Sequence, residues 1–240
     1  MAEREHDRMP YMVQVEFRTP SSFLVAYSVN LSRGGLFIET EQDIPAGAFT
    51  EVALQIPGAI PITLVGVVAW RRGEDSPDGP PGIGIEFQDV APQLGGVIDH
   101  LVSKFHGVHI LVLSGDRQDR TTLARSIKSI IATAEIMQAA DASVAAALMT
   151  SEVDLAVIDV DFDAEAGLAT IRAAKDLSPP VPTVAITASA KLRELARQAG
   201  ADELATNPPP FAELQLVLVR ALSRPVRIDA LSTDDFDVEL

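Results

Sequence analysis

Apolar and polar residues alternate in short runs between Met12 and Phe87. Val13, Val15 and Phe17 are separated by Gln14 and Glu16, and Phe23, Val25 and Tyr27 repeat the period of two. Leu36–Glu39, Val52–Ile56, Ile62–Trp70 and Gly82–Phe87 continue the series, flanked by Pro, Gly, Asn or Asp. Six such runs about ten residues apart predict an antiparallel barrel or sandwich, read here as a six-stranded barrel. From Pro92 to Phe105 the apolar residues Leu94, Val97, Ile98, Leu101, Val102 and Phe105 recur at helical spacing, which predicts a closing helix.

After Gly107 the pattern changes. His109–Leu113 is a continuous apolar run, suited to a strand buried on both faces. Helical segments then alternate with runs at Glu135–Met137, Leu155–Asp159, Val181–Thr187 and Leu204–Thr206, and a helix over Phe211–Leu222 closes the series. Five alternations predict a doubly wound parallel sheet of (βα)5 type. The expected organisation is residues 1–105 as an all-β domain, 106–108 as linker, 109–224 as an α/β domain and 225–240 as tail. That tail carries Asp229, Asp234, Asp235, Asp237 and Glu239 and no base after Arg227, so it is expected to be solvated and disordered.

Composition narrows the function. With 47% hydrophobic residues, a chain of 240 residues can bury two cores. The lack of cysteine excludes disulfides and thiolate chemistry. No apolar run approaches the ~20 residues that cross a bilayer, and the charged N-terminus is unlike a signal peptide, so a cytoplasmic protein is expected. A net charge of −15 argues against a nucleic-acid polymer as partner. Yet most early basic residues are arginines: Arg4, Arg8, Arg33, Arg71 and Arg72. Brought together, they would form a cationic pocket inside an acidic shell, favouring a small anion.

Arg4 and Arg8 form an RxxxR pair, followed by Asn30-Leu31-Ser32-Arg33-Gly34-Gly35, an NxSxxG stretch. Guanidinium forks bond phosphate oxygens and guanine edges in pairs, and glycine lets backbone N–H groups approach an anion. With Val67–Arg72 and Pro80–Phe87, these residues resemble a PilZ domain, the bacterial receptor module for cyclic di-GMP. The resemblance implies that Arg4 and Arg8 clamp guanine edges and phosphates, that Asn30 and Ser32 bond the nucleotide, and that Gly35 keeps the turn open. Arg33 and Arg71 join this set more weakly, on charge alone. Trp70 is expected to pack inside the barrel.

Residues His109 to about Arg224 resemble a response-regulator receiver. Asp159, at the end of the third strand, stands where receivers are phosphorylated, and Thr187 where they carry a switch hydroxyl. The acidic pair that holds Mg²⁺ is replaced by Ser114-Gly115, with Asp116 one step later, and the lysine that pairs with the phosphoryl group is replaced by Asn207. Leu204 takes the aromatic switch position. Phosphoryl transfer depends on metal and cation placement. The expectation is therefore a pseudo-receiver without Mg²⁺ and without phosphorylation, with its final helix (Leu214, Val217, Leu218, Ala221, Leu222) either packed on the sheet or open to a partner.

No GxSxG, Walker loop or GxGxxG is present, and the four histidines lack metal spacing. Asp161 and Asp163 read as loop solubility charges. The expected function is a non-enzymatic signalling protein that binds cyclic di-GMP and relays its state to protein partners, with motility, pili or exopolysaccharide as implied outputs. The alternatives are a response regulator phosphorylated at Asp159 and a ligand-free interaction scaffold.

Overall fold

A computed structural model describes residues 11–76 and 80–232. The chain divides into two compact units that do not follow its linear halves. The first gathers residues 11–17, Tyr27–Ser103 and 225–232, and the second gathers Arg18–Ala26 and Lys104–Arg224.

The first unit is a six-stranded mixed sheet. Its strands are β1 (Tyr11–Glu16), β2 (Gly35–Glu39), β3 (Phe49–Gln55), β4 (Ile62–Arg72), β5 (Gly82–Phe87) and a C-terminal strand, β11 (Arg227–Ser232). Their order is β11-β1-β3-β4-β5-β2. All neighbours are antiparallel except β1 and β3, which are parallel. The expectation of a purely antiparallel barrel is thus corrected. A parallel pair needs a crossover, and helix α1 (Pro20–Val29) lies in the segment that makes it. Val13, Val15, Val52, Leu54, Leu64, Val68, Ile83 and Ile85 are buried, and α2 (Val90–Ser103) contributes Leu94 and Leu101.

Two expectations fail here for identifiable reasons. Phe23, Val25 and Tyr27 belong to α1, not to a strand. The Ser22 N–H bonds Thr19 Oγ1 at 3.0 Å and the Thr19 N–H bonds Ser22 Oγ at 3.1 Å. This is a reciprocal capping box, and Pro20 follows at the first helical position, where its missing N–H costs nothing. Residues 227–232, read as part of a disordered tail, pair with β1 from Tyr11↔Ser232 to Glu16↔Arg227. Without them β1 would present an edge of unpaired N–H and C=O groups.

The second unit is a five-stranded parallel sheet in the order β10-β9-β8-β6-β7. The strands are β6 (Val108–Leu113), β7 (Ala134–Ala139), β8 (Leu155–Asp159), β9 (Thr183–Ile186) and β10 (Glu203–Ala205). Helices α3 (Arg117–Ile130), α4 (Ala142–Leu148), α5 (Ala164–Lys175), α6 (Ala190–Gln198) and α7 (Phe211–Ser223) connect or follow them. The central strands are apolar throughout because both faces are covered. Ile110, Val112, Leu155, Val157 and Val184 pack with α3 and α7, while Leu111, Ala156, Ile158 and Ala185 pack with residues of α4, α5 and α6. In α7, Leu214, Val217, Leu218, Ala221 and Leu222 are all buried in this core, so that stripe packs on the sheet. No helix among the described residues is long and apolar enough to cross a membrane.

Candidate functional site

The NxSxxG stretch folds as a tight turn between α1 and β2. Leu31–Arg33 form one 3₁₀ turn, with Asn30 at its start. The Asn30 carbonyl accepts from the N–H groups of Arg33 (3.1 Å) and Gly35 (3.4 Å), and its side chain makes no capping bond. Leu31 is fully buried and anchors the turn, while Ser32 and Arg33 are exposed. Ser32 Oγ donates to the Ser28 carbonyl at 3.0 Å. Gly34 takes φ +85°, a left-handed conformation that favours glycine. Gly35 answers a different constraint, because a Cβ there would lie 2.9 Å from the Ile85 carbonyl oxygen on β5. Asn30, Ser32, Arg33 and Gly35 are therefore together, on one turn. Arg4 and Arg8 lie outside the described residues.

The outer face of the sheet beside that turn carries an aromatic shelf. β2 and β5 pair Gly35 with Glu86 and Phe37 with Gly84, and β4 pairs Trp70 with Gly84 and Arg72 with Gly82. The Phe37 and Trp70 rings stack with centroids 5.2 Å apart and planes 9° from parallel. The Arg72 guanidinium carbon sits 4.3 Å from the Phe37 centroid and 5.6 Å from that of Trp70. Gly82 and Gly84 make the room: a Cβ on either would strike Phe37 or Trp70.

Trp70 is 46% exposed, not packed inside. Counting by twos from Leu64 through Val68 puts it in the core, but the register shifts between Val68 and Trp70. That bulge inverts the alternation. The same inversion separates the neighbouring arginines. Arg72 joins the outer face with Phe37, whereas Arg71 shares the row of the buried Ile83 and Ile38 and pairs with Asp43. The Arg71 and Arg72 rows lie three and four residues along β5 from that of Gly35, about 10 and 13 Å at ~3.3 Å per residue, so the face and not the distance distinguishes them. The structure thus brings Arg72, not Arg71, onto the face of the turn. Adjacent arginines at a strand end were the available signal, and only the bulge decides between them.

In the second unit, Asp159 ends the central strand β8 and is 8% exposed. Its Oδ2 accepts from Ser114 Oγ at 2.9 Å, and its Oδ1 accepts from the Asp161 N–H (3.0 Å) and Asn207 Nδ2 (3.2 Å). Burial pushes its carboxyl up; the Asp161 N–H and Ser114 hydroxyl oppose this, and the charges of Asp161 and Asp119 add to it. Gly115 lies under the ring of Phe162, whose atoms occupy the space a Cβ would need. Asp116 caps α3 instead, accepting from the N–H groups of Gln118 (2.7 Å) and Asp119 (2.9 Å). A divalent cation does not fit these residues. A neutral hydroxyl and a bare glycine stand where carboxylates would be needed, and the nearest acid is engaged by backbone. Among the described residues no cluster of three His, Cys, Asp or Glu is arranged to hold a metal.

Asp161 corrects another expectation, since it is not a free solubility charge. It accepts from the Thr187 hydroxyl, from the Ala188 N–H at 2.8 Å and from Asn207 Nδ2 at 3.0 Å. Partial burial raises its carboxyl, but those three donors outweigh it and hold it below the usual range. Asp163 caps α5 through the Ala166 N–H at 3.0 Å.

Residues 2–104 match the PilZ domain family model. The C-terminal half is similar in structure to response-regulator receiver domains. These include the receiver domain of a DNA-binding response regulator from Colwellia psychrerythraea (17% identity, 49% of this chain and 99% of that one, TM-score 0.44). The Francisella response regulator 1452 receiver (20%, 49% and 97%, 0.42) and the chemotaxis response regulator CheY4 of Vibrio cholerae (18%, 48% and 98%, 0.43) are further examples. No curated protein matches the chain. In the PilZ segment, sequence reasoning found the turn and missed Phe37, Trp70 and Arg72 as a surface group. In the receiver-like half it found Asp159, Thr187 and Asn207 and missed that Asp161 links the latter two.

Proposed function

We propose that this chain is a non-enzymatic signalling protein whose PilZ segment binds cyclic di-GMP and whose receiver-like half relays the state to protein partners without being phosphorylated. The family match over residues 2–104 supports the ligand class. The observation that carries the reading is the partly exposed Arg72–Phe37–Trp70 stack on the same sheet face as Gly35, with Phe37 and Trp70 one same-face row and Arg72 two rows along from the NxSxxG turn. Planar stacks of this kind suit a purine face, and the Asn30 side chain at the turn suits a purine edge. Arg4 and Arg8 supply the guanidinium forks for phosphate and guanine. Ser32 and Gly35 belong to the same site, Arg33 borders it, and Arg71 is peripheral to it. The expected setting is the cytoplasm.

The phosphate-free role rests on the engagement of both Asp159 oxygens and on the replacement of acid pair and lysine by Ser114, Gly115 and Asn207. Isothermal titration of the full chain with cyclic di-GMP tests the reading. Low-micromolar or tighter binding is expected, abolished by Arg8→Ala and unchanged by Asp159→Asn. Absence of heat with wild type at tens of micromolar ligand would overturn it.

A further inference from the structure

The carboxyl edge of the parallel sheet gathers three hydrogen-bond donors around one point. Thr187 and Ala188 follow β9, and Asn207 follows β10. The Thr187 hydroxyl, the Ala188 N–H and Asn207 Nδ2 all donate to the same group, the carboxylate of Asp161 in the loop after β8. Thr187 takes one oxygen and the other two donors share the second. Asn207 Nδ2 has two hydrogens and uses them on two acids, Asp161 and Asp159. Three donors in such an arc form a seat for an oxyanion, planar or tetrahedral.

We propose that this seat is an anion-binding site which the chain fills with its own Asp161 carboxylate, so that the loops after β8, β9 and β10 are held in an anion-bound arrangement without phosphate. A free anion would have to enter beside the Asp159 carboxyl with no lysine or arginine among the donors. Asp161 is tethered two residues from Asp159, and tethering supplies an effective concentration that a dissolved anion lacks. The Asp161 N–H, which donates to Asp159 Oδ1 at 3.0 Å, also fixes the direction in which the loop leaves β8. The inference concerns the receiver-like half alone and stands whether or not the PilZ segment binds a nucleotide.

Emptying the seat exposes it. In Asp161→Ala, inorganic phosphate or formate, added at constant ionic strength, is expected to shift the Ala188 amide resonance saturably and to raise the unfolding midpoint by about 2–4 °C at several times its dissociation constant. Asp161→Asn refills the seat with an amide oxygen and is expected to stay silent, as is the double variant Asp161→Ala/Thr187→Ala. Wild type is expected to show no Ala188 shift with phosphate or with beryllofluoride and Mg²⁺, a measurement that needs no variant to fold. A saturable Ala188 shift in wild type, or its absence in folded Asp161→Ala, would overturn the proposal. A response in Asp161→Asn equal to that of Asp161→Ala would do so too, because charge rather than occupancy would then be at work.

Discussion

Gly84→Ala tests the aromatic shelf directly. A Cβ at Gly84 would lie 2.8 Å from Trp70 Cδ1 and closer still to Nε1 and Cε2. Carbon atoms pack at about 3.5–4.0 Å, so the indole must move outward by roughly 1 Å or more. That motion opens the 5.2 Å stack on Phe37 and draws the ring from Arg72. An aromatic pair contributes about 0.5–1.5 kcal/mol and an exposed cation–π contact about 0.5–1 kcal/mol. Alanine returns about 0.4–1 kcal/mol by restricting the unfolded chain. The net expectation is a loss of about 0.5–1.5 kcal/mol, a fall of about 2–5 °C in Tm. Trp70 is the only tryptophan, so its fluorescence reports the site alone. Emission should shift to the red and iodide quenching should rise. Gly73→Ala, with nothing within 4 Å of the new Cβ, should change neither. If Gly84→Ala leaves emission and quenching at wild-type values and raises Tm, the shelf does not exist as described.

Arg18 is 5% exposed, and its guanidinium donates to the carbonyls of Val153, Pro179, Thr150 and Ser151 within the second unit. Arg18→Ala strands those acceptors and is expected to cost about 2–4 kcal/mol by urea unfolding; a loss below about 0.5 kcal/mol would refute this accounting. Burial raises the Asp159 carboxyl, so the folded state keeps its proton longer than the unfolded one. Its contribution is complete below the unfolded value of about 3.9 and is lost as pH rises through the folded value, so wild type should lose stability relative to Asp159→Asn over that window; parallel pH curves would contradict it. Mg²⁺ at about 10 mM should move Tm by no more than about 1 °C, as expected for a dissociation constant of about 10 mM or weaker, and a saturable rise at submillimolar Mg²⁺ would show a site that the Ser114–Gly115 geometry denies.

The parallel half was legible because its signals are long and unmixed. Runs such as His109–Leu113 and Leu155–Asp159 are apolar almost throughout, and few structures other than doubly covered strands accommodate them. The rest of the chain was harder because three local decisions carry no period. At α1 the alternation of Phe23, Val25 and Tyr27 competed with the helix-start signal of Thr19-Pro20-Ser21-Ser22, and the capping box won. At β4 one bulge put Trp70 and Arg72 on the face of Phe37 and left Arg71 in the other row, where it pairs with Asp43. At β11 the acidic character of the last residues masked a segment whose backbone completes the edge of β1, at the far end of the sequence. Asp159, Thr187 and Asn207 could be placed by position, but the role of Asp161 depends on which loop each donor follows, which is tertiary information.

The acids on the carboxyl edge of the second unit share one solution to their own charge. Asp116, Asp141 and Asp163 cap α3, α4 and α5, accepting backbone N–H groups at 2.7–3.0 Å. Such caps contribute about 1 kcal/mol each and sit favourably at the positive ends of the helices. Asp159 and Asp161 accept from the hydroxyls of Ser114 and Thr187, the N–H groups of Asp161 and Ala188, and the Asn207 amide. So many carboxylates at one end of a sheet would ordinarily call for a metal ion or a lysine to balance them. Here dipolar donors supplied by the chain do so, and each is already in place before any ligand arrives. An edge preorganised in this way has little to gain from a cation or a phosphoryl group. Under the proposed function the receiver-like half would then act as a preformed α/β surface, and ligand chemistry would fall to the arginines and the aromatic shelf of the PilZ segment.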